Sequence, residues 1–169
     1  YVYQVSHFVQ PGETLSAASQ AVFPGGKGLN QSIALAKAGA ETWHAGCLGS
    51  GGTMLEQILK DNGVCLDHLK HVDEFQGNAI IQVNPDGQNC ILLFGGSNQC
   101  VTQEQIKDTL SHFEAGDYLL LQNEVNNISE IVNEGYDRGM KIVLNPSPYN
   151  ELIDTVALDK ISWLLVNEI

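Results

Sequence analysis

The stretch "FPGGKGLNQSIALAKAGA", Phe23 to Ala40, places three glycines around one lysine and then continues into an alanine-rich helical pattern. Glycine is costly before a helix unless the backbone must adopt a positive φ or another group must approach closely. A helix that begins here also presents unpaired backbone N–H groups. The pattern predicts a helix over residues 30–39, ended by Gly39, and a glycine-rich turn before it that forms part of a binding site.

Length and charge narrow the class of protein. The 169 residues, of which 43% are hydrophobic, suffice for one domain with a core and are too few for two ordinary ones. The net charge of −12 argues against nucleic acid or an anionic membrane surface as the main partner, because both need a basic footprint. No apolar run approaches the length of a membrane span.

The cysteines and histidines show no pattern typical of a metal site. The four cysteines stand far apart without a CxxC pair, which favours reduced thiols, mostly buried, and a cytoplasmic location. The five histidines, among them His44 and His112, have no metal-ligand spacing, and we interpret them as surface or packed residues.

Strand and helix patterns alternate along most of the chain. "ETWHAGCLG", "DYLLLQNE" and "KIVLNPSP" read as buried strands separated by amphipathic helices, which indicates a parallel α/β architecture. Three apolar runs end in the polar residues "QNE", "NPSP" and "VNE". Since ligands of open parallel sheets bind at the carboxyl ends of the strands, these polar residues are site candidates.

Two regions depart from this alternation. The runs from Val2 to Phe8 and from Leu15 to Phe23 are short β-prone segments joined by the turn "QPGET". The segment "NAIIQVNPDGQNCILLF" is two strands around Asp86-Gly87, a strong hairpin signal. We expect these strands to form a separate small sheet.

Two nucleotide-binding motifs fit poorly. Lys27 is followed by Gly28, whereas a phosphate-binding GxxxxGK[ST] loop requires serine or threonine there. No GxGxxG joins a strand to a helix, so a plain dinucleotide-binding domain is weakly supported. A tight packing turn remains the structural alternative for "PGGKG".

Taken together, these motifs resemble a known family. "PGET", "PGGKGLNQSIALAKAGA", "GNAIIQVNPDGQN", "GGSN", "LLLQNE", "VLNPSP" and the final "VNE" are similar, in order and spacing, to the ribokinase family of PfkB-type carbohydrate kinases. The resemblance implies a three-layer α/β/α sandwich with a small β-sheet lid. Residues 1–169 would form an incomplete ribokinase-like domain, with lid strands around 1–23 and 78–95.

The resemblance also implies roles for individual residues. Gly26, Lys27 and Asn30 would hold the sugar, Ala79 would line its pocket from the lid, and Glu124 would accept hydrogen bonds from its hydroxyls.

The implied reaction is phosphoryl transfer from ATP to a sugar hydroxyl, with Mg²⁺ as cofactor, and a monovalent cation is left open as an activator. Asn167 is similar to the asparagine of the family's N-x-x-E motif, which organises magnesium and phosphate, whereas Glu168 stands in the wrong place to complete it. Asp117, in "EAGDY", resembles the family's catalytic aspartate only superficially. It leads into a strand rather than a helix, and we interpret it as part of a turn.

The chain is expected to be truncated at both ends. The sequence begins within a strand pattern and stops after another, and by the resemblance the catalytic base would lie downstream of Ile169. We therefore expect the isolated chain to be inactive and the full-length protein to be a kinase, with D-ribose favoured and a homodimer formed through the lid. The alternatives are a fructokinase or nucleoside kinase of the same family, or a non-catalytic sugar-binding or dimerisation module.

Overall fold

The computed structural model describes residues 1–167, which form nine strands and four α-helices. The helices are α1 (Lys27–Lys37), α2 (Thr53–Asp61), α3 (Gln103–Leu110) and α4 (Ile128–Asp137). The strands are β1 (Val2–Gln4), β2 (Ser19–Ala21), β3 (Gly46–Ser50), β4 (Leu69–Phe75), β5 (Asn78–Val83), β6 (Asn89–Phe94), β7 (Tyr118–Gln122), β8 (Lys141–Asn145) and β9 (Trp163–Leu164).

The segments that interrupt the α/β alternation form one small sheet, as predicted. Its strand order is β2-β1-β5-β6, with β1 antiparallel to β2 and parallel to β5. Strands β5 and β6 form an antiparallel hairpin, in which Gly87 adopts a φ of 77°. Residues with positive φ favour glycine, which explains the sequence signal at this turn. We call this four-stranded sheet the lid sheet.

The remaining strands pair in parallel. Strands β3 and β4 pair with each other, while β7, β8 and β9 form a three-stranded sheet in that order. In the β7–β8 register Gln122 lies opposite Asn145, so both strands end at the same level. The polar residues that follow these strands are therefore brought to one edge, as the sequence predicted.

Helices cover both faces of the three-stranded sheet. A Cβ at Gly135 of α4 would lie 2.6 Å from the side chain of Leu119, whereas a Cβ at Gly28 of α1 would lie 3.3 Å from that of Gln122. Leu119 and Gln122 are three residues apart on β7 and so point to opposite faces. Helix α4 and helix α1 therefore lie on opposite sides, which is the three-layer α/β/α arrangement that the family resemblance implies.

The larger core lies between this sheet and helices α3 and α4. Val132, Ile142 and Leu144 are fully buried at its centre. A smaller cluster of Leu29, Leu59 and Val64 joins α1 to the α2 region. Within the described part of the chain, no helix combines the length and the apolar character that a bilayer span requires.

Some element bounds differ from the sequence-based expectation. Helix α1 begins at Lys27 rather than at Asn30. Of the three glycines in "PGGKG", only Gly26 has a positive φ, and Gly28 already belongs to the first turn of the helix. The second lid strand is limited to Ser19–Ala21. Strand β4 was not predicted, because its sequence "LKHVDEF" shows no period-two alternation and most of it is exposed.

Candidate functional site

The glycine-rich turn delivers its backbone to the start of α1. Gly26 is the N-cap residue with φ 111° and ψ 144°, a conformation that L side chains rarely adopt. A Cβ built on Gly26 would meet no atom within 4 Å, so the glycine serves backbone conformation and leaves open space beside the helix start. No side chain caps this N-terminus. The first backbone N–H groups of α1, which have no partner within the helix, can therefore donate hydrogen bonds to a ligand.

Lys27 and Glu124 come together across the chain. Lys27 Nζ donates to Glu124 Oε1 at 2.6 Å, and their side chains are 35% and 27% exposed. Lys27 begins α1, and Glu124 follows the carboxyl end of β7. A partly exposed ion pair contributes about 1 kcal/mol or less, so ligand hydroxyls could replace it at small cost. The pair thus places one hydrogen-bond donor and one acceptor at this edge of the sheet.

Polar side chains reinforce the end of β7. Gln122 donates a hydrogen bond to the side chain of Gln31 on α1. Asn123 is buried, and its Nδ2 donates to Pro148 O at 2.7 Å and to Asn150 Oδ1 at 2.8 Å. These bonds fix the strand end against α1 on one side and against the segment after β8 on the other.

His44 supports α1 from beneath. Its Nδ1 lies 2.8 Å from Ser32 Oγ, and its ring approaches the position where a Cβ of Gly28 would stand. Burial lowers the pKa of His44, since the charged imidazolium would lose its hydration. The ring is therefore a packed, neutral support, within the sequence-based interpretation of the histidines.

The other proposed site residues lie in three different places. Asn30 is exposed one turn into α1, and its backbone N–H donates to Gly26 O at 3.0 Å. Ala79 lies on lid strand β5, opposite Leu93 of β6. Asn167 is exposed three residues beyond β9, on the carboxyl side of the three-stranded sheet. Glu168 lies outside the described residues.

Asp117 lies at the opposite edge of the sheet from Glu124. It directly precedes β7, and its Oδ2 accepts a hydrogen bond from Glu114 N at 2.8 Å. The turn predicted from the sequence is therefore present, and the whole of β7 separates Asp117 from the Lys27–Glu124 pair.

Side chains that could bind a metal ion do not cluster in the described part of the chain. Among residues 1–167 no three His, Cys, Asp or Glu side chains converge on a position that could hold an ion. Two surface hollows of about 680 and 250 Å³ lie elsewhere, one beside Lys70 and Lys107 and the other beside Trp43 and Phe113. Neither of these two hollows is lined by Lys27 or Glu124.

Sequence reasoning missed several supporting residues. The strand ending "QNE" drew attention to Gln122 and Asn123, yet their partners Gln31 and Asn150 could not be read from it. Gln99 directly follows the motif "GGSN". Its Nε2 donates to Glu124 O at 3.0 Å. No periodicity or motif indicates that contact, because the partners lie 25 residues apart.

The described part of the chain thus combines a glycine-rich helix start near the carboxyl end of a parallel sheet with a separate four-stranded lid sheet. The family model described as pfkB family carbohydrate kinase matches residues 1–166. The chain belongs to this family.

Ribokinases are among its similar proteins. Ribokinase of Haemophilus influenzae is 31% identical over 173 residues, an alignment that covers 99% of this chain and 56% of the relative. Ribokinase of Cryptococcus neoformans var. grubii, solved in complex with ADP, superposes with a TM-score of 0.82 at 33% identity, covering 96% of this chain and 53% of that one. Arabidopsis thaliana ribokinase, solved with ribose and ATP, gives a TM-score of 0.73 at 27% identity, with 92% and 54% covered. The chain spans about half the length of the curated relatives that it matches.

Proposed function

We propose that this chain forms the sugar-binding part of an ATP-dependent sugar kinase whose favoured substrate is D-ribose. The observation that carries the proposal is the Lys27–Glu124 pair, 2.6 Å apart and formed by two segments that the fold brings to one edge. Two partly exposed, oppositely charged groups beside an open glycine turn suit a ligand with several hydroxyls. The ribokinases among the relatives support ribose over other sugars.

Each proposed residue has one task in this site. Lys27 Nζ donates to a sugar oxygen, and the Glu124 carboxylate accepts from one or two hydroxyls. Asn30 adds an amide from the exposed face of α1, and the absence of a side chain at Gly26 lets the sugar approach the backbone. Ala79 lines the pocket from the lid. Once the bound sugar and the lid sheet exclude water from these donors and acceptors, the site rejects sugars that lack the matching hydroxyl.

ATP and Mg²⁺ belong to the proposal for the full-length protein. When bound, they supply the phosphoryl group and neutralise the charge that spreads over it during transfer. Asn167 stands at the sheet edge where it could contact phosphate or a hydrated magnesium ion. The chain spans about half the length of the ribokinases that it matches. We propose that this part of the protein alone binds sugar without phosphorylating it.

The lid sheet supports a dimer. In edge strand β6, Ile91, Leu92, Leu93 and Phe94 are each about half exposed or more. Neighbouring residues of a strand point to opposite faces, so both faces of β6 are apolar. One face would cover the sugar and the other would pack on a second copy of the chain. We also propose a cytoplasmic location, since the four cysteines are free.

The full-length protein, purified and assayed with ATP against D-ribose, D-fructose and a nucleoside, tests the function. D-ribose should give the highest kcat/KM, with phosphate appearing on the 5-hydroxyl, and the 169-residue chain should give no turnover. Sedimentation of the same protein should report a dimer. Failure of the full-length protein to phosphorylate any of the three compounds would reject the kinase, and turnover by the short chain would reject its inactivity.

A further inference from the structure

Two loops, one of which carries Glu124 of the candidate site, are hydrogen-bonded to each other. One follows the lid hairpin and comprises residues 95–101, which we call the return turn. The other follows β7 and comprises residues 123–127, which we call the Glu124 loop. Gln99 Nε2 donates to Glu124 O at 3.0 Å, and Asn126 N lies 3.4 Å from Asn98 O, so backbone atoms of the Glu124 loop are held by the return turn.

Asn126 provides the strongest link between the two loops. Its Oδ1 accepts from Val101 N at 3.0 Å, and its Nδ2 donates to Val101 O at 2.8 Å. The side-chain amide thus makes the two hydrogen bonds that a neighbouring strand would make. Val101 is only 7% exposed, so water has little access to replace these bonds.

Asn127 adds a third bond to the same residue. It is the one non-glycine residue with positive φ in the described chain, at 58°, and its Nδ2 donates to Val101 O at 2.8 Å. A left-handed conformation costs free energy for a residue other than glycine, although asparagine tolerates it best. The Glu124 loop therefore accepts backbone strain at a point where it gains a contact with the return turn.

The return turn is itself locked to the strand that enters the lid. A Cβ at Gly96 would lie 2.4 Å from Phe75 O, and a Cβ at Gly77 would lie 2.5 Å from Gly95 O. The two stems of the lid hairpin therefore touch backbone to backbone, with no space for a side chain. A movement of the lid sheet must displace the return turn as well.

We propose that Asn126 is a positioning residue that joins the Glu124 loop to the return turn, so that the lid and the Glu124 carboxylate take their places together. This inference rests on the proposed function, because it assigns Glu124 to the sugar. It explains why an asparagine with both amide ends engaged stands two residues after that carboxylate. Asn126 acts through Glu124, since its side-chain amide is engaged by Val101.

The inference has a kinetic signature. Without the link, the Glu124 loop occupies its binding position for only a fraction of the time, and the apparent sugar affinity falls by that fraction. Loss of the two Asn126 bonds should raise KM for the sugar about tenfold. KM for ATP should not change. A residue that only stabilises the fold would lower the active fraction, which reduces kcat and leaves both KM values unchanged.

The test uses three variants of the full-length protein. Asn126→Ala removes both bonds to Val101. Asn127→Gly removes one bond while keeping the left-handed backbone accessible, and it serves if the first variant fails to fold. Asn133→Ala is the matched control. Asn133 lies on α4, and its Oδ1 accepts a hydrogen bond from Lys160 Nζ at 2.7 Å, a contact that lies outside both loops. We expect the largest rise in sugar KM for Asn126→Ala, a smaller rise for Asn127→Gly and none for Asn133→Ala.

Amide hydrogen exchange separates this inference from the kinase assignment. In Asn126→Ala or Asn127→Gly, exchange should accelerate in residues 95–101 and in residues 123–127 together, whether or not the protein phosphorylates sugar. Faster exchange confined to residues 123–127 would overturn the inference, as would an unchanged sugar KM in an active enzyme. An inactive unmutated protein would reject the proposed function alone, and the exchange pattern would still decide the coupling.

Discussion

Lys27 and Glu124 illustrate how two ordinary surface residues become a candidate site. They are 97 positions apart in the sequence and 2.6 Å apart in the structure. Because both side chains keep about a third of their surface in water, their attraction stabilises the fold little. Under the proposed function, the pair offers a ligand one hydrogen-bond donor and one acceptor at the carboxyl edge of the sheet.

The buried imidazole of His44 leads to a prediction about how the stability of the protein depends on pH. Its pKa in the folded protein lies below the ordinary value of 6.5, because burial disfavours the charged ring. Below about pH 6.5 the unfolded chain therefore binds a proton that the folded chain does not, and the free energy of unfolding should fall as the pH falls. Above that pH the contribution should be constant.

Urea unfolding between pH 5 and pH 8 checks this expectation. The variant His44→Gln, which cannot titrate, should show a shallower loss of stability on acidification than the unmutated protein. Equal slopes in the two proteins would show that His44 is not the group responsible.

At the scale of elements, the return of the lid hairpin depends on Gly96. Gly96 has a φ of 48°, and a Cβ there would lie 2.4 Å from the backbone oxygen of Phe75. Gly96→Ala should therefore lower the free energy of unfolding by more than the about 1–3 kcal/mol typical of strain alone. Gly116 has a φ of 98° with no atom within 4 Å of its Cβ position, and Gly116→Ala is the matched control. Equal losses in chemical denaturation would exclude the close contact as a cause.

Strand β6 and strand β3 should differ in thiol reactivity. Cys90 on β6 is exposed, whereas Cys47 on β3 is buried. Burial, with a smaller contribution from Cys100, raises the pKa of the Cys47 thiol, and the thiolate is the reactive form. A thiol reagent added to the native protein should label Cys90 first and Cys47 only after unfolding. Rapid labelling of Cys47, located by peptide mass analysis, would contradict its buried position.

Local chemistry explains which elements the sequence predicts well. The lid hairpin was predicted because Asp86-Gly87 needs a specific turn, and that turn forms. The start of α1 was placed three residues late, because glycine is a poor helix former and nothing local indicates that Gly28 is needed for close packing on Gln122. Strand β4 was missed because its residues are mainly exposed and its pairing with β3 is decided by the tertiary fold.

On the scale of the whole molecule, the sequence indicated the class of fold and the sheet edge at which the polar ends of β7 and β8 lie together. The glycine-rich turn, the lid hairpin and the polar strand ends recur in family order, and the family model matches residues 1–166. The sequence did not indicate the contacts between distant loops, such as those of Gln99 with Glu124 and of Asn126 with Val101. These depend on where each loop stands after folding, and no local pattern encodes that position.

The proposed binding of a sugar at the Lys27–Glu124 pair is tested most directly by calorimetric titration of D-ribose into the full-length protein. Replacing a charged acceptor of sugar hydroxyls should weaken binding in Glu124→Gln about 10- to 100-fold. The control Glu130→Gln, which removes the same charge from the exposed start of α4, should bind within about twofold of the unmutated protein. Unchanged ribose affinity in Glu124→Gln, with the fold intact, would contradict the claim.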